Sequence, residues 1–155
     1  MPLILPDLIN EIGSFSNPES SNFTGYPETI FDAANKWADA IDSYTSEIVP
    51  PTTTRASAKA TLISSLNAIN VQSGNAIVVM QTALTAYAST LATGMQPSFT
   101  GVPPILPLVI TPVSVLGMSG ASNEEVISLL CNIIHTWFKT GTATSNVNGA
   151  TVTWN

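Results

Sequence analysis

Charge is scarce in this chain. Only 9% of its 155 residues are charged, where about a quarter is usual for a soluble domain. Lys and Arg together number four, Asp and Glu ten, and the net charge is −6. Residues 60–123 contain no Asp, Glu, Lys, Arg or His, and eight of the ten acids precede Pro50. Four cations in an acidic chain do not make the basic stripe that tracks a phosphate backbone, so no nucleic-acid partner is expected. A single cysteine excludes an internal disulfide. No basic segment precedes an apolar stretch near Met1, so no secretory leader of the usual form is visible. The apolar run 102–118 is interrupted by Pro103, Pro104, Pro107 and Pro112. Four ring-locked residues without amide protons are incompatible with an ordinary membrane helix, and no membrane is expected.

Uncharged residues fill the gap. Apolar side chains make up an ordinary 45%, and Ser, Thr and Asn stand where charges would otherwise be. A free monomer usually stays soluble behind a mixed charged surface. A neutral exterior suits a chain whose surface is covered by neighbours, so assembly into a homo-oligomer is the expectation. A neutral soluble domain or an extracellular one is the alternative.

The length fits one domain, 1–155, with a real core. Residues 1–25 read as an N-terminal arm. Within it a short helical pattern follows Pro6 and closes at Gly13, and a polar loop then runs to Gly25. Asn22-Phe23-Thr24 matches the glycosylation pattern, without an export signal to give it meaning. Pro27 suits the first position of a helix, and Ile30, Ala34, Trp37, Ile41, Tyr44 and Ile48 form one apolar seam, which predicts a helix over 27–48. Thr54 can cap a second helix from Arg55. Leu62, Leu66 and Ile69 are continued by Ile77, Met80, Leu84, Tyr87 and Leu91, with Gly74 between the two sets. Either one rod or two helices meeting at a kink fits; the spacing leans toward one long helix over 55–93, stopped by Gly94 and Pro97. Together 27–95 reads as a helical hairpin.

Residues 96–121 are rich in Pro and Gly yet apolar. A solvated linker would be polar, so this segment is expected to lie against something. Residues 105–116 read as extended, either along the chain's own helices or onto another subunit. Ser122 and Glu125 then form a capping box for a helix over 123–139, with a broad apolar stripe from Val126 to Phe138. The chain ends in a hairpin signal, Asn148-Gly149. A two-residue turn there pairs Val147 with Ala150, Ser145 with Val152 and Ala143 with Trp154. An isolated hairpin is at best marginal. Docking of its Ala-Val-Trp face on the helices is expected, with at least one unprotected edge contacting a partner. The fold class is therefore mainly α: a core of three main helices with a C-terminal β-hairpin and an extended Pro-rich arm. Residues 122–155 form the helix-plus-hairpin unit.

Chemistry is thin. Cys131 and His135 lie four apart on one helix face, the spacing of a thiolate and its base, but no third group orients them and their neighbours are apolar. Two further zinc ligands would have to be carboxylates. Asp39 and Asp42 could share a proton, yet lie on the face with Lys36 and read as solvated. Gly117, Gly120 and Gly141 lack the lysine of a phosphate loop. Trp37, Trp137 and Trp154 sit on apolar faces, where packing or interface anchoring is their default role. No catalytic residue, metal or cofactor is expected.

Three stretches carry a resemblance: Trp37-Ala38-Asp39-Ala40-Ile41, IVPPTTTRASAK from Ile48 to Lys59, and IIHTWFKTGTATSN from Ile133 with GATVTWN at the end. Over about residues 27–155 the chain resembles short virion proteins of tailed bacteriophages, especially those of aquatic hosts. The resemblance implies a non-enzymatic virion component, built in the host cytoplasm, whose partners are other virion structural proteins. Tail, baseplate or neck is expected ahead of capsid decoration. A secreted or surface adhesion module binding glycan or protein is the alternative, and a small hydrolase using Cys131 and His135 a third reading. Interface residues expected from the two apolar arms and the ribbon are Leu3, Ile4, Leu5, Ile105, Leu106, Leu108, Val109, Ile110, Val152 and Trp154.

Overall fold

The computed structural model describes residues 3–110 and 122–155. Helices α1 (Leu5–Ser16), α2 (Ile30–Tyr44), α3 (Arg55–Leu66), α4 (Ala76–Thr93) and α5 (Asn123–Phe138) surround one apolar core. Strands β1 (Phe99–Val102), β2 (Thr142–Ser145) and β3 (Thr151–Thr153) form an antiparallel sheet in the order β1-β2-β3. The protein is mainly α, as its periodicity predicts.

The N-terminal segment is no free arm. Leu3, Leu8, Ile12 and Phe15 are buried in the core, and α1 packs on α2 and α5. α1 also runs through Gly13 and ends at Asn17. Pro18 is the reason: its ring disfavours the helical conformation in the residue before it, and Asn17 is extended at φ −119° and ψ 104°. The Asn17 side chain then accepts a bond from Glu19 N–H at 3.1 Å.

α2 begins three residues later than expected. Thr29, not Pro27, marks the boundary, because its hydroxyl accepts from Asp32 N–H and satisfies one of the orphan donors of the first turn. At the far end Thr45 turns its hydroxyl back to Ile41 O, and the seam continues to buried Ile48 outside the helix.

The expected long helix is two. Asn70 accepts from Gln72 N–H and Ser73 N–H, capping a short 3-10 turn (Val71–Ser73). Gly74 is left-handed at φ 67°, and Asn75 braces the corner through Asn70 N–H and Ala68 O. With the Ser73 hydroxyl, which donates to Asn70 O at 3.1 Å, three polar side chains reward the break, which a seam of apolar residues does not reveal. α3 and α4 therefore pack antiparallel, and the start of α3 meets the end of α4. There Thr52 and Thr54 donate to Leu91 O and Thr90 O, while Thr53 N–H and hydroxyl both reach Gly94 O. Within the helix Thr90 O and Leu91 O share the single N–H of Gly94, at 3.4 and 3.1 Å, and the hydroxyls supplement that divided bond. Thr54 is indeed the N-cap residue of α3, but its side chain serves α4 instead. By length and composition α4 could cross a membrane; here one face of it, with Ala83, Leu84, Tyr87, Ala88 and Leu91, is buried in the core.

The terminal ribbon has a third strand. β1 lies inside the Pro/Gly-rich segment and pairs with β2, with Phe99 opposite Ser145 and Gly101 opposite Ala143. The expected β2–β3 register is corrected by two residues: Ala143 faces Val152, and Thr142 faces Thr153. Asn148 does not have the positive φ that a type I′ turn needs; only Gly149 does, at 72°. The loop instead spans residues 146–149, closed by Gly149 N–H to Ser145 O and Ser145 N–H to Ala150 O. Asn146 fastens the loop to the segment that carries β1. Its backbone N–H goes to Ser98 O, its amide nitrogen to Pro97 O, and its amide oxygen accepts from Thr100. An even shift keeps the faces, and the sheet docks through buried Ala143 and Trp154.

α5 opens with the expected capping box. Its inner face delivers Ile127, Cys131, Ile134, Trp137 and Phe138, the last packed edge-on against Tyr44, Tyr87 and Trp137. The chain end is locked by Trp154, whose ring covers Gly141, whose backbone N–H bonds Gly141 O at 2.8 Å and whose indole N–H bonds Thr142 O at 3.0 Å. A Cβ at position 141 would overlap that ring. Gly141→Ala is therefore expected to cost about 1–3 kcal/mol, the usual range for forcing atoms into a packed site, read as a lower urea midpoint with an unchanged slope.

Candidate functional site

The residues with chemical potential are occupied structurally. Cys131 is fully buried, and burial pushes its thiol up to about 12. His135 Nδ1 lies 2.7 Å from the Tyr44 hydroxyl, and burial together with Lys139 holds its imidazole below the ordinary value. Burial also raises Tyr44. A thiol that resists ionisation beside a neutral imidazole bonded elsewhere is the reverse of an activated pair. Asp39 is solvated as expected, with its side chain 63% exposed, whereas Asp42 is largely covered at 17%. Arg55 grips Asp42 with Nε and Nη2, both at 2.9 Å, and Lys59 reaches Asp39 at 2.8 Å, so the two acids tie α2 to α3. Among the described residues no cluster of three His, Cys, Asp or Glu could hold a metal.

The interface residues expected from sequence divide in two. Leu3, Leu108, Ile110 and Trp154 are buried within the chain itself. Ile4 and Leu5 are half-buried, Leu5 against the core. The four buried ones are not available as a free surface, and Ile4 and Leu5 are so only in part. Four are exposed: Ile105 at 85%, Leu106 at 67%, Val109 at 55% and Val152 at 41%. Residues 111–116 of the expected extended arm lie outside the described residues.

Ile105, Leu106 and Val109 belong to a strap, residues 103–110, with no regular structure. The strap is pinned from two sides. The Trp137 indole N–H donates to Leu106 O at 2.8 Å, and the Gln81 amide donates to Leu108 O. Leu108 and Ile110 anchor it in the core. The pins hold the backbone while three large apolar side chains face outward. Beside it runs the outer face of α4, where Thr82, Thr85, Ala86 and Ser89 line a cleft of about 570 Å³ with Pro104 and Ile105. The three hydroxyls on that face already donate to carbonyls of their own helix, Thr82 to Val78 O, Thr85 to Gln81 O and Ser89 to Thr85 O. Donors satisfied internally give up little when water leaves, so this face is cheap to cover.

A second apolar cleft lies at the sheet edge, between Val49-Pro50-Pro51, Phe99 and Val152. Trp154 N–H points to Gly141 and Ser145 N–H to Ala150, so Thr151 and Thr153, one residue out of phase, turn their backbone groups away from β2. Val49 covers the end of this edge by exchanging both backbone bonds with Asn155, at 2.7 and 3.1 Å. The open edge is therefore only a few residues long.

Sequence reasoning named the strap and missed its pins. Gln81 carried no signal beyond being polar near an apolar seam. Trp137 did carry one, since a buried indole N–H requires an acceptor, but nothing indicated which carbonyl. In the folded protein Cys131 is expected to stay unreacted with a small thiol reagent and to react fully once urea unfolds the chain, read by mass spectrometry. Fast labelling of the native protein would reinstate a reactive cysteine.

Comparisons with family models, with curated proteins and with solved structures gave no match to this chain.

Proposed function

We propose that the protein is a non-enzymatic structural subunit that assembles through its strap and the adjoining face of α4, first with further copies of itself, as part of a tailed-phage virion. One observation carries the assembly reading: Ile105, Leu106 and Val109 stand exposed on a backbone held by Trp137 and Gln81. Large apolar side chains on a loose loop would bury themselves by collapse; here the indole and amide bonds hold them outward.

A second copy suits this surface electrically. The chain carries a net charge of −6, so two copies repel through their acidic N-terminal thirds. The strap and α4 belong to residues 60–123, which contain no charged side chain, and meeting there adds no like-charge contact. Burying the three strap side chains yields roughly 5–8 kcal/mol at most, comparable to the freedom lost on association. The strap alone thus supports weak pairing, and lasting assembly requires the α4 face or several contacts at once. Many weak, repeated contacts are how a particle is built. The virion setting is supported by the resemblance of the three sequence stretches, with tail, baseplate or neck placed ahead of the capsid, and assembly in the host cytoplasm agrees with a free Cys131.

Sedimentation equilibrium tests the assembly. The wild-type mass is expected to rise with concentration. The variant Ile105→Ser, Leu106→Ser, Val109→Ser is expected to remain a monomer with unchanged far-ultraviolet circular dichroism, because none of the three residues is in the core. A wild-type chain that stays monomeric throughout, or a variant that associates like wild type, contradicts the reading.

A further inference from the structure

The loop between β2 and β3 holds the chain's one Asn-Gly pair, Asn148-Gly149, and its geometry bears on the chemistry of that pair. An asparagine followed by glycine is prone to cyclise, because no side chain on the next residue hinders attack by its backbone nitrogen. The Gly149 nitrogen adds to the Asn148 side-chain carbonyl carbon, and the C–NH₂ bond breaks. The Gly149 amide proton leaves with that group as ammonia, and a succinimide remains. Water then opens the ring at either carbonyl, giving aspartate or isoaspartate. No oxidant, reductant or second reactant beyond water is needed.

Water has free access. Residues 146–150 are exposed, and the neighbouring Val147 is 92% exposed. Two hydrogen bonds stand in the way of ring closure. The attacking nitrogen is engaged, since Gly149 N–H donates to Ser145 O at 2.9 Å. The electrophile is engaged too, since the Asn148 amide oxygen accepts from Ala150 N–H at 3.0 Å, which turns the side chain along the backbone beyond Gly149. Cyclisation requires both bonds to open, and the loop is in turn fastened to β1 by Asn146 through Pro97 O and Thr100.

We propose that Asn148-Gly149 is a site of spontaneous deamidation whose rate is governed by opening of the β2–β3 loop. The reaction places a carboxylate on a sheet that otherwise has none, as residues 140–155 contain no charged side chain. The inference is independent of the assembly reading.

The test follows the full-length chain over days at mildly alkaline pH, folded and in urea, by peptide mapping that separates aspartate from isoaspartate. Deamidation at Asn148 is expected to be about tenfold slower or more in the folded protein, since local opening must break the two bonds first. Asn146→Ala, which releases the loop without touching the core, is expected to give a folded rate between those limits. Asn148→Ser is expected to remove the product under every condition. Equal rates in the folded and unfolded chain, or a folded Asn146→Ala rate no faster than wild type, would overturn control by the loop. Absence of isoaspartate at position 148 in the unfolded chain would overturn the site.

Discussion

Helix ends and corners must satisfy their backbone groups somehow, and with four basic side chains in 155 residues this chain does so largely through hydroxyls and amides. The row Thr52-Thr53-Thr54 is the main example. It binds carbonyls at the end of α4 and, by doing so, fixes the start of α3 against that end. β1 follows α4 after only a few residues, so the same seat determines where the sheet can lie. Asn70 and Asn75 shape the other end of the α3–α4 pair, and Asn146 fastens the β2–β3 loop to the segment entering β1. Charge enters the framework mainly between α2 and α3, where Asp39 and Asp42 hold Lys59 and Arg55.

Short polar side chains leave a particular exterior. Hydroxyls folded back onto their own helix present methyl groups and spent donors, and the α4 face that results is neutral without being greasy. The strap adds the apolar component. Leu108 and Ile110 go inward, Ile105, Leu106 and Val109 outward, with Trp137 and Gln81 gripping the backbone between them. A surface of this kind has few groups that suffer when water leaves it. The buried Cys131 and the Tyr44–His135 bond place the chain's most reactive residue types inside the packing that positions the strap's anchor, Trp137.

Apolar periodicity made most helices legible, because the seam of α2 and the stripe of α5 are core faces first and foremost. Boundaries were less so, for they depend on single polar residues: Thr29 instead of Pro27, Pro18 acting through Asn17, and the Asn70–Asn75 corner that divides 55–93. β1 was hidden because Phe99-Thr100-Gly101-Val102 is short and surrounded by prolines and glycines, and its pairing is reinforced by Asn146, distant in sequence. The hairpin was recognised from Asn148-Gly149, but its register was not, because the loop closes over four residues instead of two. In the strap the apolar content could be seen, while the inward or outward direction of each side chain could not. Alternation alone would have grouped Leu108 with Leu106; the two pins determine otherwise.

Hydroxyl-radical footprinting of the native chain across a wide concentration range measures the covering of the strap most directly. Ile105, Leu106 and Val109 should be oxidised readily in dilute solution and become protected as concentration rises, while exposed Val147 at the loop tip stays equally reactive. Labelling of all four that is the same at every concentration would mean that no second copy covers the strap.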